Sequence, residues 1–164
     1  MKCQIVDRLP KTSVKAVPIH ITIRELTAYV GHDKRAYPFA DRMLGRFPIV
    51  NWKRDLAWTL DDKTKFLNSV FLNDDLGSVT INGYEEVGNG IMRDMSDILL
   101  DGRERVSTML DFMSNRFSYC DLYWRDLNRF ERNRFLDREL LNRSVCCFDE
   151  KALRAEYERL RRAR

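Results

Sequence analysis

The stretch Leu99-Leu100-Asp101-Gly102-Arg103-Glu104-Arg105-Val106-Ser107-Thr108-Met109-Leu110 constrains the fold more than any other part of the chain. Two apolar residues run into an acidic-glycine-basic corner, and an amphipathic helix leaves it. Val106, Met109, Leu110, Met113 and Phe117 stand at i, i+3, i+4, i+7 and i+11, the spacing of one buried helical face. The spacing predicts a helix from about Arg103 to Arg116, fed by a short buried strand, Ile98-Leu99-Leu100, that delivers Asp101. A glycine at such a corner lets backbone N–H groups face an anion, and the helix dipole adds to that pull. Two arginines around a glutamate suit an anion site, and equally suit a solvated helix cap.

The chain has 164 residues, enough for one domain with a substantial core. At 44% hydrophobic and 33% charged it reads as soluble and globular. It contains no run of about 18 apolar residues, so a membrane span is not expected. Met1 to Arg8 lacks the apolar stretch of a secretory signal. The four cysteines, Cys3, Cys120, Cys146 and Cys147, show no CxxC spacing. Adjacent cysteines in a β-like run point to opposite faces, so reduced thiols in a cytoplasmic protein are expected. His20 and His32 have no Cys/His or acidic cluster near them and read as structural or exposed. The net charge of +4 lies entirely in Arg125–Arg164, where 12 basic residues face 8 acidic ones. That is a weak polyanion-facing surface, short of the basic stripe of a dedicated DNA-binding module.

Along the chain, residues 1–46 read as an N-terminal arm leading into a strand and a helix, and 47–164 as the main domain. Val17–Ile21 reads as a strand. Thr22 and Glu25 form a T-x-x-E capping box for a helix with Ile23, Leu26 and Val30 on its apolar face, ended by Gly31. Phe47–Trp52 is extended by composition. Thr59 caps a helix with Asp61 and Asp62 in its first turn and Phe66, Leu67, Val70 and Phe71 on its buried side. Asn73-Asp74-Asp75 stops it, and Leu76–Asn82 alternates like a strand. Residues 83–97 form a loop or hairpin. Asn128–Glu139 reads as a helix carrying Phe130 and Phe135, Ser144–Phe148 as a strand, and Asp149 as the cap of a final helix. In that helix Leu153, Tyr157 and Leu160 share a face, and its basic end (Arg159, Arg161, Arg162, Arg164) complements the dipole.

The order of these pieces carries a resemblance. An extended segment leads to Arg54 and Trp58, then an amphipathic helix and a Leu-Gly-Ser-Val strand follow. Leu-Asp-Gly-x-x-Arg then opens a helix, and a strand leads to a terminal helix. Over roughly residues 47–160 this resembles the N-terminal domain of GmrSD-type modification-dependent restriction enzymes, in the ParB/sulfiredoxin-like superfamily. That family carries a Tyr-Gln-Arg-x-x-x-Trp segment, matched here by Arg54 and Trp58. It also carries an Asp-Gly-Gln-Gln-Arg motif, matched by Asp101, Gly102 and Arg105, with Thr108 at the place of a small hydroxyl residue. Trp52 and Lys53 stand where the family has Tyr and Gln. Arg103 and Glu104 replace both glutamines, and Arg161 stands where an Arg-x-Asn segment has its asparagine. Arg-Glu-Arg after glycine is closer to the Gly-Glu-Arg-Arg phosphate-binding motif of ParB proteins. Larger relatives add a nuclease of the His-Asn-His type, whereas both histidines here precede residue 33.

The resemblance implies an α+β fold, a small mixed sheet packed with several helices in a single domain. It implies a nucleoside triphosphate held with Mg²⁺, on or near DNA. In that reading Arg54, Gly102, Arg103, Ser107 and Thr108 bind the nucleotide, Asp101, Glu104 and Arg105 serve catalysis, and Asp101 holds the metal. Such a ligand needs backbone donors, guanidinium forks and an acidic metal ligand, which these residue types supply. Trp58 reads as core or site wall. Whether turnover occurs stays open, because both glutamines are replaced. The alternatives are a non-catalytic module or inhibitor that engages DNA or a restriction-type or DNA-processing complex, and direct nucleic-acid binding by the basic last helix. A nuclease is the least favoured enzyme, for want of a compact carboxylate cluster.

Overall fold

A buried central strand organises the molecule. In the computed structural model, which describes residues 8–52 and 55–163, four strands form one sheet. They are β1 (Ala16–Thr22), β8 (Glu139–Val145), β4 (Ser78–Asn82) and β7 (Leu99–Asp101), in that spatial order. β4 runs parallel to β8 and antiparallel to β7, and β1 closes the far edge antiparallel to β8. Helices cover both faces: α1 (Ile23–Thr27), α2 (Leu60–Leu72), α3 (Arg103–Met113) and α4 (Arg129–Leu136) on one, α5 (Glu150–Arg162) on the other. Two small hairpins complete the fold, β2 (Arg42–Leu44) with β3 (Phe47–Ile49) and β5 (Glu86–Gly88) with β6 (Ile91–Met92). The α+β class expected from the sequence is the class observed.

Alternation divides the core. Val79, Ile81 and Leu99 point toward α1–α4, where Leu67, Val106, Met109, Phe112 and Phe135 are sealed from solvent. Leu100 and Val145 point the other way and pack with Leu153, Tyr157 and Trp52. Because β4 lies between two layers, Thr80 and Asn82 are buried as deeply as Val79 and Ile81. Asn82 is satisfied by donating to the Met95 and Cys147 carbonyls, both at 2.7 Å, and accepting from the Cys147 N–H at 3.0 Å. It thereby fixes the segments before β7 and after β8 to the sheet.

Local signals placed most helix starts. Thr22 with Glu25, Thr59 with Asp62, and Asn128 with Glu131 form reciprocal capping boxes, and Asp149 accepts from the Ala152 N–H. Asn73, at φ 65°, ends α2 in the left-handed conformation its short amide tolerates. Several boundaries differ from expectation; α3, for one, ends at Met113, short of Arg116. α1 ends at Thr27 with an extended Ala28, so Val30 is exposed and Gly31 caps nothing helical. α4 stops at Leu136, and β8 already begins at Glu139 because pairing with β1 and β4 claims those residues. Consequently Cys146 and Cys147 follow the strand instead of lying in it; both are free thiols, as is Cys120. Phe130 is 81% exposed while Phe135 is sealed. Among the described residues no helix is long and apolar enough to cross a membrane.

Candidate functional site

β7 passes into α3 through Gly102, at φ 99°. A Cβ there would lie 2.6 Å from Val79 Cγ1 and 3.3 Å from Val79 Cα, so only glycine lets the corner lie flat on β4. That close approach presents the first turn of α3 to a cavity of about 100 Å³. Its walls are Leu100 to Glu104, the loop Asp55-Leu56-Ala57-Trp58, and Tyr157, Leu160 and Arg161 of α5. A larger recess of about 510 Å³ adjoins it, lined by Asp41, Arg42, Ile49 to Asn51, Asp55, Arg103 and Arg161. Asp55, Arg103 and Arg161 belong to both spaces.

Arg103 is the electrostatic centre of this arrangement. Its side chain is largely withdrawn from water, and its Nε is buried without a hydrogen-bond partner. Burial pushes its pKa down and the positive charge of Arg42 adds to that, while Tyr157, which also shares a hydrogen bond with it, and the negative charge of Glu104 oppose the shift. An arginine keeps its proton at any physiological pH, so what results is a partly desolvated cation. Among the described residues no carboxylate lies within 4 Å of it, whereas Arg161 has Glu158 at 3.6 Å and Arg42 has Asp41 at 4.0 Å.

The structure separates the other residues singled out from the sequence. Asp101, Gly102, Arg103 and Glu104 come together at the cavity, with Trp58 as a wall packed 5.7 Å from Phe66. The Glu104 carboxylate faces the loop backbone, where one oxygen accepts from the Ala57 N–H and, at 3.3 Å, from the Trp58 N–H. Arg105 does not line the cavity. It turns to the opposite side, lies against Gly77, and donates to the Ser78 carbonyl at 3.2 Å. Burial lowers its pKa, with Asp75 opposing. Ser107 and Thr108 are buried and absent from the cavity wall, and the Thr108 hydroxyl has no partner. Arg54 lies outside the described residues.

Arg42, Tyr157, Leu160 and Arg161 complete the walls without having been read as site residues. The α5 signal was present: Tyr157, Leu160 and Arg161 stand at i, i+3 and i+4 and share one helical face. For Arg42 no local signal exists, since the β2–β3 hairpin is brought in only by the fold. Three or more metal-binding side chains do not gather anywhere among the described residues. No family model, curated protein or solved structure matches the chain.

Proposed function

We propose that this chain binds the phosphate groups of a nucleoside triphosphate in the paired cavities at the start of α3, as a ParB-like domain working on or near DNA. One observation carries the reading: Arg103 is sunk between two connected spaces with a partnerless buried Nε, and Arg42 and Arg161 face the larger space with it. A half-buried cation with an unpartnered donor and no carboxylate within 4 Å among the described residues is costly, and a phosphate that accepts from its guanidinium fork offsets that cost. The dipole of α3 points its positive end at the same place. Leu56, Trp58, Leu100 and Leu160 give the smaller cavity apolar walls, and the adjoining recess of about 510 Å³ has the volume that a nucleotide needs. Mg²⁺ keeps most of its waters and binds through phosphates plus one or two carboxylates, so a nucleotide-borne ion needs only Asp101 or Asp55 from the protein.

Binding without turnover is the form the geometry favours. Glu104, the acidic group nearest the helix start, is already bonded to two backbone N–H groups and holds the 55–58 loop closed. A general base must be within reach of the proton it abstracts, and this carboxylate is directed at the loop. A regulatory partner of the restriction or DNA-processing type belongs to this reading. Titration calorimetry with each Mg²⁺-nucleoside triphosphate tests it. Arg103→Ala is expected to weaken binding about tenfold or more, the loss of roughly one charge-assisted pair. Unchanged affinity in that variant overturns the site, and phosphate release above background in the wild type overturns the non-catalytic form.

A further inference from the structure

α5 gives the cavity more than a wall. Tyr157, Leu160 and Arg161 stand at i, i+3 and i+4, so one stripe of the helix meets the cavity. The roll of α5 is fixed from a neighbouring face. Glu156, 2% exposed, accepts from Arg159 at 2.8 and 2.5 Å, and the Thr12 hydroxyl donates to it at 3.3 Å. Removing any partner of a buried carboxylate is costly, so the helix keeps this orientation. The Tyr157 ring is buried and lies 5.7 Å from the Trp52 ring. Arg103 shares a hydrogen bond with the Tyr157 side chain. A guanidinium only donates, so the phenol oxygen accepts and its own proton points away from Arg103. Among the described residues no group accepts that proton. Two unused donors, the Tyr157 O–H and the buried Arg103 Nε–H, thus flank one hydrogen bond at the cavity. Accepting from a cation polarises the phenol and strengthens it as a donor.

We infer that α5 supplies half of a two-phosphate clamp: the Tyr157 hydroxyl donates to the phosphate held by Arg103, and Arg161 with Arg42 takes the phosphate linked to it. This rests on the nucleotide reading above and names its smallest ligand, one with at least two linked phosphate groups. The division follows from which space each side chain borders. Tyr157 borders the cavity and not the recess, Arg42 the recess and not the cavity, and Arg103 and Arg161 border both. Arg161 and Arg42 keep their donors for a ligand. Their nearest carboxylates, Glu158 at 3.6 Å and Asp41 at 4.0 Å, lie beyond hydrogen-bond distance. Arg159, by contrast, is saturated by Glu156 and lines neither space. Donors on both sides of the junction suit a chain of phosphates, whose oxygens accept at every centre.

Titration calorimetry on the full chain tests this with Mg²⁺ and three probes: the nucleoside triphosphates, their monophosphates, and inorganic tripolyphosphate. The wild type is expected to bind a triphosphate and tripolyphosphate at least about tenfold more tightly than a monophosphate, the worth of one charge-assisted pair. Tyr157→Phe keeps the ring against Trp52 and is expected to lose about tenfold on both triphosphate and tripolyphosphate, one hydrogen bond to a charged group. Arg161→Ala is expected to remove most of the preference for the triphosphate over the monophosphate. Arg105→Ala is the control for a loosened fold, since it lowers stability and leaves these affinities in place. Unchanged tripolyphosphate affinity in Tyr157→Phe overturns the inference and leaves the nucleotide site standing. So does a monophosphate bound as tightly as the triphosphate. A loss in Tyr157→Phe for the nucleotide alone also overturns it, because the hydroxyl then meets sugar or base. Tripolyphosphate bound more tightly than every nucleotide keeps the clamp and overturns the nucleoside part of the reading. A wild type that binds neither triphosphate nor tripolyphosphate overturns both.

Discussion

Arg103 and Arg105 stand two residues apart at the start of one helix, and at about 100° per residue they face nearly opposite directions. Arg103 opens onto the cavities with its Nε partnerless, while Arg105 lies along the 77–78 backbone and bonds a carbonyl of the central strand's first residue. The same residue type thus serves two jobs in one turn: one guanidinium is short of a partner, the other ties α3 to β4. What sets the two apart is the seating of the helix, fixed by Val106, Met109 and Phe112 against the sheet and by the close approach of Gly102 to Val79. Thr108 falls on the packed side with Arg105, whereas Ser107, one turn beyond Arg103, is buried beneath it and does not line the cavity.

The strongest way to break this division is at its pivot. Gly102→Ala places a methyl 2.6 Å from Val79 Cγ1 at a φ of 99°. Left-handed strain and overpacking together are expected to cost about 3 kcal/mol, read as a lower urea midpoint with an unchanged slope. Retention of full stability would show that the corner can lift off β4. Next in size is Arg105→Ala. Loss of its packing and its carbonyl bond is expected to cost about 1–3 kcal/mol of stability while nucleotide affinity stays within twofold. Arg103→Ala should do the reverse, since it removes a poorly solvated cation: stability unchanged or slightly raised, with affinity lost. If calorimetry assigned the affinity to Arg105 instead, the open and packed sides would have to exchange roles.

These contrasts also mark what could be read from the chain alone. Helix starts were legible because a capping residue and its partner sit three positions apart: Thr22 with Glu25, Thr59 with Asp62, and Asp149 with its own first turn. The corner Leu99–Gly102 was legible for the same local reason. The start of β8 was not, because helical spacing through Phe130 and Phe135 runs on toward Glu139, and only pairing with β1 and β4 decides that 139–145 is a strand. The facing of α3 was misjudged by about one position. Leu110 and Met113 were expected at the centre of the buried face, yet they are only partly buried and Phe112 is sealed. The resemblance, not the helix spacing, puts Arg105, Ser107 and Thr108 in the expected site, while Arg42, Tyr157 and Arg161 reach the cavities only through the packing of the hairpin and α5. A helix's rotation is decided by the layer it packs on, which no local window contains.

Glu104 probes the boundary between the two sides. Its carboxylate secures the Ala57 and Trp58 N–H groups, so Glu104→Ala should release the loop that walls the cavity. The expected loss is about 1 kcal/mol of stability. Hydrogen exchange should accelerate at Ala57 and Trp58 while the α3 amides beyond Val106 stay protected. Uniform acceleration across α3 would mean that Glu104 supports the helix itself and not the loop.

The smallest effect tests the packed side most directly. Thr108 is sealed from solvent with a hydroxyl that has no partner. Thr108→Val keeps the branched shape and removes the stranded polar group, so stability should rise by up to about 1 kcal/mol. Nucleotide affinity should not change, because the hydroxyl faces the core and not the cavity. The sequence resemblance assigns this hydroxyl to the nucleotide, and the two assignments separate in one variant. A gain in melting temperature with unchanged affinity keeps Thr108 on the packed side. A drop in affinity greater than about threefold, larger than a shape-preserving core change should cause, would move it into the site. In that case α3 would have to rotate when ligand binds, and the contrast between Arg103 and Arg105 would describe only the empty state.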